Sequence, residues 1–197
     1  MFSMIPCAAG CGKPAITGSA LCAIHSVDAG AEARRIGALL SGKKTVKDLS
    51  AQGLHFDGVD FSGRTFYGCN FSGSTFSACC FSGALMRMVF FDFSTLLSCD
   101  FSKVDFQFLS FAGSSLRECG FEGSELLHVN FGGALINDCS FNDSNLYNSR
   151  FINADMARTG FKDCNLKRVN FIKARQDEIS FKSSNTAEAI FEPEEME

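Results

Sequence analysis

The chain has 197 residues and contains 22 phenylalanines, two tyrosines and no tryptophan. Its apolar content of 46% excludes a wholly disordered protein, and it has no apolar run of about 18 residues that could span a bilayer. The formal net charge of −4 argues against a generally cationic nucleic-acid binder. The first residues lack the basic segment and long apolar core of a signal peptide, so we expect a cytoplasmic protein with no membrane contact.

The N-terminal segment, residues 1–27, contains two pairs of metal-binding residue types. Cys7 and Cys11 are separated by three residues and Cys22 and His25 by two, with a turn-rich loop between the pairs. Three thiolates and one imidazole can close a tetrahedron around zinc. A bound metal would stabilise a segment this short, because the segment cannot bury a hydrophobic core of its own. The alternative is that the four residues are incidental in a loop.

The stretch CAAGCGKPAITGSALCAIH is similar to the small Cys3His zinc knuckles of some bacterial and phage proteins, in which the knuckle ends on a short helix. The resemblance implies one zinc ion as cofactor, held by Cys7, Cys11, Cys22 and His25. Since all four ligands come from the protein, such a site is structural and leaves no position open for catalysis.

A helix is predicted over residues 29–41, AGAEARRIGALLS, with Asp28 as its N-cap. Its apolar residues Ile36, Leu39 and Leu40 indicate that it covers the first open turn of the repeat that follows, since an uncovered sheet edge invites aggregation. Residues 42–53 are interpreted as a linker, so that 28–53 form a capping helix and linker.

A five-residue period dominates residues 54–183. Phenylalanine occupies every tenth position from 61 to 181, and another large apolar residue lies midway between, with Gln176 as the one exception. Positions two residues before each of these are mostly small or β-branched, and the others are mostly polar or glycine. Five fits neither the period of a helix nor that of a strand, and it indicates a solenoid with one corner per five residues.

The repeats resemble the pentapeptide-repeat family, whose unit is a small residue, Asp or Asn, Leu or Phe, and two polar residues. The stretches CNFSG at 69–73, CDFSK at 99–103, ADMAR at 154–158 and CNLKR at 164–168 carry this pattern. The resemblance implies an all-β fold, a right-handed quadrilateral β-helix with four pentapeptides per coil. Residues one coil apart would then stack, and phenylalanine would form two opposed columns inside the rod.

The same stacking places four cysteines, Cys79, Cys99, Cys119 and Cys139, in one inward column. Side chains in register point the same way with Cβ atoms about 4.8 Å apart, which is longer than the roughly 3.8 Å of a disulfide. We interpret them as small buried residues rather than as disulfides or a metal ladder. Arg64 departs from the pattern, because it occupies an inner position that is small elsewhere.

The last segment, residues 184–197, is predicted to form a C-terminal cap. Asn185 or Thr186 can begin a short helix over the sequence AEAIF, and an acidic tail follows. This segment would cover the last coil, as the N-terminal helix covers the first.

We expect no enzyme activity, because a rod has no cleft and no set of catalytic residues is recognisable. The function must therefore lie on the surface.

Outward apolar residues collect on one side of the rod. The residues of this predicted partner-binding face are Tyr67, Leu85, Met88, Phe108, Leu127 and Tyr147, with Phe90, Phe93 and Leu97 round the next corners. Exposed apolar strips mark partner contacts. We therefore predict a non-catalytic protein-interaction scaffold with an unknown protein partner. The alternative is that a cap or a dimer mate covers the strip, or that the terminal helix folds back over it.

Charge divides the repeat into two parts, since residues 54–149 carry ten acidic and four basic side chains and residues 150–182 carry eight basic and four acidic ones. Some members of the family mimic B-form DNA and protect type II topoisomerases from quinolones, typically as dimers joined through C-terminal coils. The resemblance therefore offers a second hypothesis, a topoisomerase-binding DNA mimic that forms a homodimer through its C-terminal coils. The basic coils and the knuckle depart from that subgroup. Nucleic-acid contact through the knuckle and the basic coils is a third hypothesis.

Overall fold

The computed structural model describes residues 5–191, which form a parallel β-solenoid of about seven turns preceded by one short α-helix. Each turn has four sides, because residues one coil apart pair in four separate stacks. The elements are α1 Ala29–Ser41, β1 Thr45–Lys47, β2 His55–Asp57, β3 Thr65–Tyr67, β4 Thr75–Ser77, β5 Leu85–Arg87, β6 Thr95–Leu97, β7 Asp105–Gln107, β8 Ser115–Arg117, β9 Glu125–Leu127, β10 Leu135–Asn137, β11 Asp155–Ala157, β12 Arg175–Asp177 and a 3-10 helix Thr186–Glu188.

We number the four sides faces 1 to 4 in chain order, starting from β2. Face 1 is a seven-stranded sheet in the order β12-β11-β10-β8-β6-β4-β2. Face 3 is a five-stranded sheet, β1-β3-β5-β7-β9, which continues as single bridges through Asn145 and Asn165. Faces 2 and 4 consist of isolated parallel bridges, which run from Asp60 to Ser180 and from Ser50 to Ile190.

The corners explain the five-residue period. Every fifth residue from Asp48 to Ser183 has a left-handed backbone, with φ between 47° and 69°. This conformation turns the chain and stops every strand after three residues. Glycine, asparagine and aspartate tolerate it best, which accounts for the polar, glycine-rich positions between the apolar ones.

Two columns of stacked phenylalanine rings fill the rod, one starting at Phe61 behind face 2 and one at Phe71 behind face 4. Within each column, neighbouring ring centroids are 4.6–5.4 Å apart. Rings of the two columns meet edge to face, as Phe111 and Phe121 do at 6.2 Å and 89°. Both arrangements are favoured by the charge distribution of the ring. The predicted fold class and the opposed columns are confirmed.

The small inner residues satisfy backbone groups at the corners. Ser114 donates its hydroxyl to the carbonyl of Phe91 at 2.6 Å and accepts from the N–H of Ser94 at 3.3 Å. The thiol of Cys99 donates in the same way to the carbonyl of Phe76 at 3.6 Å. Its contact with the thiol of Cys119, together with burial, raises the pKa of Cys99 to about 12. All ten cysteines are free, so the four stacked thiols are buried small residues, as predicted.

The solenoid begins earlier than predicted, because residues 42–53 are not a linker. Strand β1 pairs in parallel with β3, and Val46, Leu49 and Ala51 are buried in the core. The five-residue register therefore extends back to Val46. The sequence pattern does not reveal this coil, because Ala51 stands where the later coils have phenylalanine.

The solenoid also ends later than predicted. The helix expected over AEAIF is replaced by the 3-10 turn at Thr186–Glu188, and Asn185 does not cap this turn with its side chain. Ile190 then pairs with Asn170, and the ring of Phe191 stacks on Phe171 at 5.2 Å. Because Phe191 continues a core column, the repeat runs to residue 191 rather than 183. The acidic tail, 192–197, and residues 1–4 lie outside the described residues.

Helix α1 has the predicted bounds and covers the first coil. Asp28 caps it by accepting the N–H of Ala31 at 2.8 Å, and Ile36 and Leu40 are buried against the solenoid. Arg64 points outward and donates to the carbonyls of Leu40 at 2.7 Å and Lys43 at 2.9 Å. The one irregular inner position thus holds the C-terminal end of the capping helix, whose last carbonyls need external donors.

Candidate metal centre and interaction surface

The four predicted metal ligands lie together at the N-terminal end of the rod. The ligand atoms of Cys7, Cys11, Cys22 and His25 all lie within 4.8 Å of one another. Sγ of Cys11 is 3.8 Å from Sγ of Cys22, and Nδ1 of His25 is 3.6 Å and 3.5 Å from the Sγ atoms of Cys7 and Cys22. The two short pairs therefore converge on one point.

Local backbone structure produces this convergence. Residues 6 and 14 form an antiparallel bridge, and the N–H of Cys7 donates to the carbonyl of Lys13 at 2.9 Å, which closes the first pair into a tight loop. Gly10 and Gly12 flank Cys11 with φ of 71° and 74°, a conformation that glycine adopts without strain. The N–H of His25 donates to the carbonyl of Cys22 at 3.1 Å, so a single turn forms the second pair.

Backbone donors favour the thiolate forms that bind metal. The N–H of Cys22 points at Sγ of Cys7 at 3.4 Å and lowers the pKa of Cys7. Burial alone would raise the pKa of Cys22, but the N–H of His25 and the side chains of Cys7 and His25 outweigh it and lower this pKa to about 6. Cys7 and Cys22 are therefore the thiols that lose their protons most readily, as a cysteine ligand must. Burial and the contact with the Cys22 thiol raise the pKa of Cys11, and the contacts with the thiols of Cys7 and Cys22 raise the pKa of His25.

Three of the separations between ligand atoms match those in a tetrahedral zinc site, and no pair is farther apart than 4.8 Å. Zinc–sulfur bonds of about 2.3 Å place two sulfur ligands of a tetrahedron about 3.8 Å apart. The two thiols of Cys11 and Cys22 have this separation, and the sulfur–nitrogen distances are slightly shorter, as shorter zinc–nitrogen bonds require. The cluster lies within metal-binding distance, and its donor set suits a soft or borderline cation such as zinc.

The knuckle, defined as residues 5–27, is docked on the first coil. Thr17 donates its N–H to the carbonyl of Ser50 at 2.8 Å and accepts the N–H of Ser50 through its hydroxyl at 2.7 Å. Its own carbonyl accepts from Arg35 of α1 at 2.6 Å, and Arg35 is ion-paired with Glu32. Thr17 therefore occupies the free edge of face 4. Sequence reasoning missed Thr17 and Arg35, because nothing in the local pattern marks a contact made only by folding.

The predicted partner-binding residues divide between face 3 and the corner between faces 3 and 4. Tyr67, Leu85, Leu127 and Tyr147 project from face 3, where Tyr67 is exposed and the other three are half-buried. At the corner, Met88 and Phe108 are 50% and 55% exposed. The six residues thus form a strip along one side of the rod, which Arg87, Asp105 and Gln107 interrupt.

The corner residues of this strip adopt an unusual backbone conformation for their type. Met88 and Phe108 have φ of 53° and 59° at positions that other coils fill with glycine, asparagine or charged residues. A left-handed conformation costs a residue with a bulky side chain about 1 kcal/mol or more. The ring of Phe108 stacks on His128 at 5.0 Å, and Nδ1 of His128 is 2.7 Å from the amide of Asn148. His128 is therefore part of a surface stack.

A second exposed ring lies at the next corner. Phe93 is 75% exposed with φ of 56°, and its ring lies over the backbone of Gly113. A Cβ at Gly113 would approach this ring to 2.7 Å, so any other residue there would require the ring to shift. Leu97 and Leu135 on face 1 add further exposed apolar surface.

Comparison with known protein families identifies the repeat. A model of the pentapeptide repeat region matches residues 114–191, and a model of eight pentapeptide repeat copies matches residues 55–87, so that more than half of the chain is matched. The chain belongs to the pentapeptide-repeat family. No curated protein matches it at a significant level.

Several solved structures resemble this pentapeptide-repeat protein. HetL from the cyanobacterium Nostoc sp. strain PCC 7120, described as involved in the regulation of heterocyst differentiation, is 13% identical, with 82% of this chain and 96% of HetL covered and a TM-score of 0.35. QnrB1, a plasmid-mediated fluoroquinolone resistance protein, is 14% identical over 72% of this chain and 91% of its own, with a TM-score of 0.33. Rfr23 from the cyanobacterium Cyanothece 51142 is 15% identical, with 72% of this chain and 90% of Rfr23 covered and a TM-score of 0.24. The likeness concerns the repeat fold alone.

In the part of the chain that the structure describes, no helix combines the length and hydrophobicity needed to cross a bilayer.

Proposed function

We propose that this pentapeptide-repeat protein is a non-catalytic scaffold that binds another protein through face 3 and the corner beside it. The observation that carries the proposal is the placement of Met88 and Phe108, two large apolar side chains that are half exposed at left-handed corners. Each accepts a backbone cost and still keeps about half of its side chain exposed. Apolar exposure of this kind is expected at an interface.

We also propose that the knuckle holds one structural zinc ion through Cys7, Cys11, Cys22 and His25. The proposal is supported by the mutual distances of the four ligand atoms and by the lowered pKa values of Cys7 and Cys22. When bound, the ion cross-links the two loops that carry the ligand pairs. It has no catalytic role, since four protein ligands complete its coordination. The role of the knuckle is then to hold Thr17 on the edge of the first coil.

The duplex-mimic hypothesis has less support than the scaffold proposal. A mimic of DNA needs unpaired acidic groups along the rod, whereas several acids here are neutralised by bases on the next coil. These ion pairs, with N–O distances of 2.6–2.8 Å, are Arg87–Asp105, Arg158–Asp138 and Arg175–Asp155. Inhibition of gyrase supercoiling by the purified protein at micromolar concentration would reverse this order.

The scaffold proposal is tested by affinity capture from native lysate with three baits: the wild type, a triple variant of the strip (Tyr67→Ala, Phe108→Asn, Tyr147→Ala), and Phe93→Asn. Phe93→Asn is the matched control, because it also removes an exposed ring from a left-handed corner but lies outside the strip. Asparagine tolerates this backbone, so both changes preserve the fold. We expect proteins that are retained by the wild type and the control to be lost from the triple variant. Identical captures by all three would contradict the proposal.

A further inference from the structure

The first strand of face 1, β2, has an edge without a partner strand. In the later coils of this face, the first strand residue donates its N–H to a carbonyl of the preceding coil, as Thr75 does to Leu54 at 2.9 Å. The equivalent group in β2 is the N–H of His55. The sheet of face 1 ends at β2, and this N–H makes no hydrogen bond within residues 5–191. It is therefore free to pair with another chain.

Two further backbone groups are unpaired along the same edge. In the second coil, the carbonyl of Ser77 accepts an N–H of the first coil at 2.9 Å, and the N–H of Cys80 donates to a carbonyl of the first coil at 3.1 Å. The corresponding groups of the first coil are the carbonyl of Asp57 and the N–H of Asp60. The described residues provide no earlier coil on these two sides to pair with them. The edge thus presents both donors and acceptors, as an unpaired β-strand does.

A groove lies along this edge, between β2 and helix α1. Its volume is about 450 Å³, which is within the roughly 300–1,000 Å³ of ligand-binding sites. On the rod side Val59 is only partly buried, whereas Cys79, which has the same place in the next coil, is buried. The helix residues that line the groove are mostly small, and they include Gly30, Ala33, Gly37 and Ala38. The groove therefore exposes apolar surface beside the unpaired backbone groups.

The other two edges at this end of the rod are protected. On face 4, Thr17 of the knuckle exchanges two hydrogen bonds with the backbone of Ser50, at 2.8 Å and 2.7 Å. On face 3, β1 carries Lys47 and follows Lys43 and Lys44, and lysines at a sheet edge oppose pairing with another chain. In the described part of the chain, the edge of β2 has neither kind of protection.

We propose that this groove binds an extended segment of a partner protein, which adds to β2 as a parallel strand and continues face 1 by one coil. An extended backbone presents N–H and carbonyl groups at the spacing of β2, whereas those of a helix are already bonded within the helix. The site lies at the end of the rod, away from the strip on face 3. The inference therefore goes beyond the proposed function and does not depend on it.

The surroundings of the groove specify the side chains of the segment. Residues of paired strands that project from the same side lie about 4.8 Å apart. Asp57 is exposed and takes part in no ion pair of the described residues, so a basic residue beside it is favoured. The residue that points towards α1 meets Ala33 and Gly37 and must be small. The partner segment is thus extended, with a small inward residue next to an outward base.

A phage-displayed library of random peptides, selected on the zinc-loaded full-length protein, tests the proposal. Gly37→Leu should weaken the selected peptides by about tenfold or more, because a side chain at this position has open space and enters the groove. Leucine favours a helix more than glycine does, so the variant remains folded. Gly42→Leu is the matched control, since Gly42 also has open space and a right-handed backbone but does not line the groove. Failure to select any peptide, or equal binding by the wild type and Gly37→Leu, would overturn the proposal.

Amide exchange followed by nuclear magnetic resonance tests the strand pairing itself. Binding of a selected peptide should slow exchange at the N–H groups of His55 and Asp60, and it should leave those of Thr45 and Lys47 on β1 unchanged. N-methylation of single peptide amides should abolish binding at alternate positions, because only every second amide of a strand faces its neighbour. A peptide that tolerates N-methylation everywhere, or that leaves exchange at His55 and Asp60 unchanged, would show that strand pairing is wrong.

The strip variant distinguishes this inference from the proposed function. The triple variant of the strip should bind the selected peptides as the wild type does, because the strip lies on another side of the rod. If it loses them, the peptides bind face 3, which would overturn this inference and leave the scaffold proposal standing. If capture from lysate does not respond to the triple variant but the peptides respond to Gly37→Leu, the scaffold proposal is wrong and this inference stands.

Discussion

Removal of the metal from the knuckle should unfold residues 5–27 while the rod stays intact. Ordering residues 7–25 costs at least about 1 kcal/mol per residue, or about 19 kcal/mol. Eight backbone hydrogen bonds within the knuckle contribute about 1 kcal/mol each, and the two between Thr17 and Ser50 add about 2 kcal/mol. Burial of Ile16 adds about 2 kcal/mol. The shortfall of about 7 kcal/mol is smaller than the roughly 10–16 kcal/mol that structural zinc supplies to zinc-finger peptides, so binding of one ion is enough to order the knuckle.

Hydrogen–deuterium exchange of the zinc-loaded protein, before and after treatment with a chelator, measures this effect. Peptides that cover residues 5–27, and the amide of Ser50, should lose protection, whereas peptides from Phe71 onward should not change. Cys22→Ser should behave like the chelated wild type, because it removes a ligand. Cys80→Ser is the control, since Cys80 lies on the rod outside the cluster.

Two results would refute this reasoning. One is protection of residues 5–27 that persists after the metal has been removed, which would mean that the knuckle's own contacts suffice to order it. The other is freshly purified protein that contains far less than one zinc per chain and yet shows full protection in this region.

Three further predictions concern the rod. Phe121→Ala should lower the free energy of unfolding, measured in urea, by about 3–5 kcal/mol, because the ring of Phe121 is fully buried between two stacked neighbours. Phe121→Leu should lower it by less. A loss smaller than that of a variant at an exposed site would contradict the assignment of Phe121 to the core. Arg64→Ala should destabilise the protein by about 1–2 kcal/mol, because it removes the hydrogen-bond donors at the end of α1. Arg64→Lys should restore only part of this stability. Thermal unfolding of the two variants and the wild type measures both effects. Alkylation at pH 8, read out by mass spectrometry, should modify Cys80 but not Cys99 in the folded protein, since a pKa of about 12 keeps the Cys99 thiol protonated until the pH rises towards that value.

The sequence pattern does not predict the two ends of the solenoid correctly. Phenylalanine is the clearest mark of the repeat, so the sequence predicts a linker where the first coil has Ala51 in the phenylalanine position. At the other end, AEAIF has helix-forming residues, but the column needs Phe191 to cover Phe171, and this contact outweighs local helix propensity. In both cases the contact that decides the structure is made with a residue one coil away.

The sequence by itself determined the fold, the two phenylalanine columns, the buried cysteine column, helix α1 and the four residues of the metal cluster. These follow from local rules, because each five-residue unit meets nearly the same surroundings in every coil and each ligand pair is closed by a short turn. Only the tertiary structure decided that Thr17 covers the edge of face 4, that Arg64 holds the end of α1 and that bulky residues occupy strained corners. These depend on contacts between segments that are distant in sequence and on backbone angles, neither of which leaves a periodic signal.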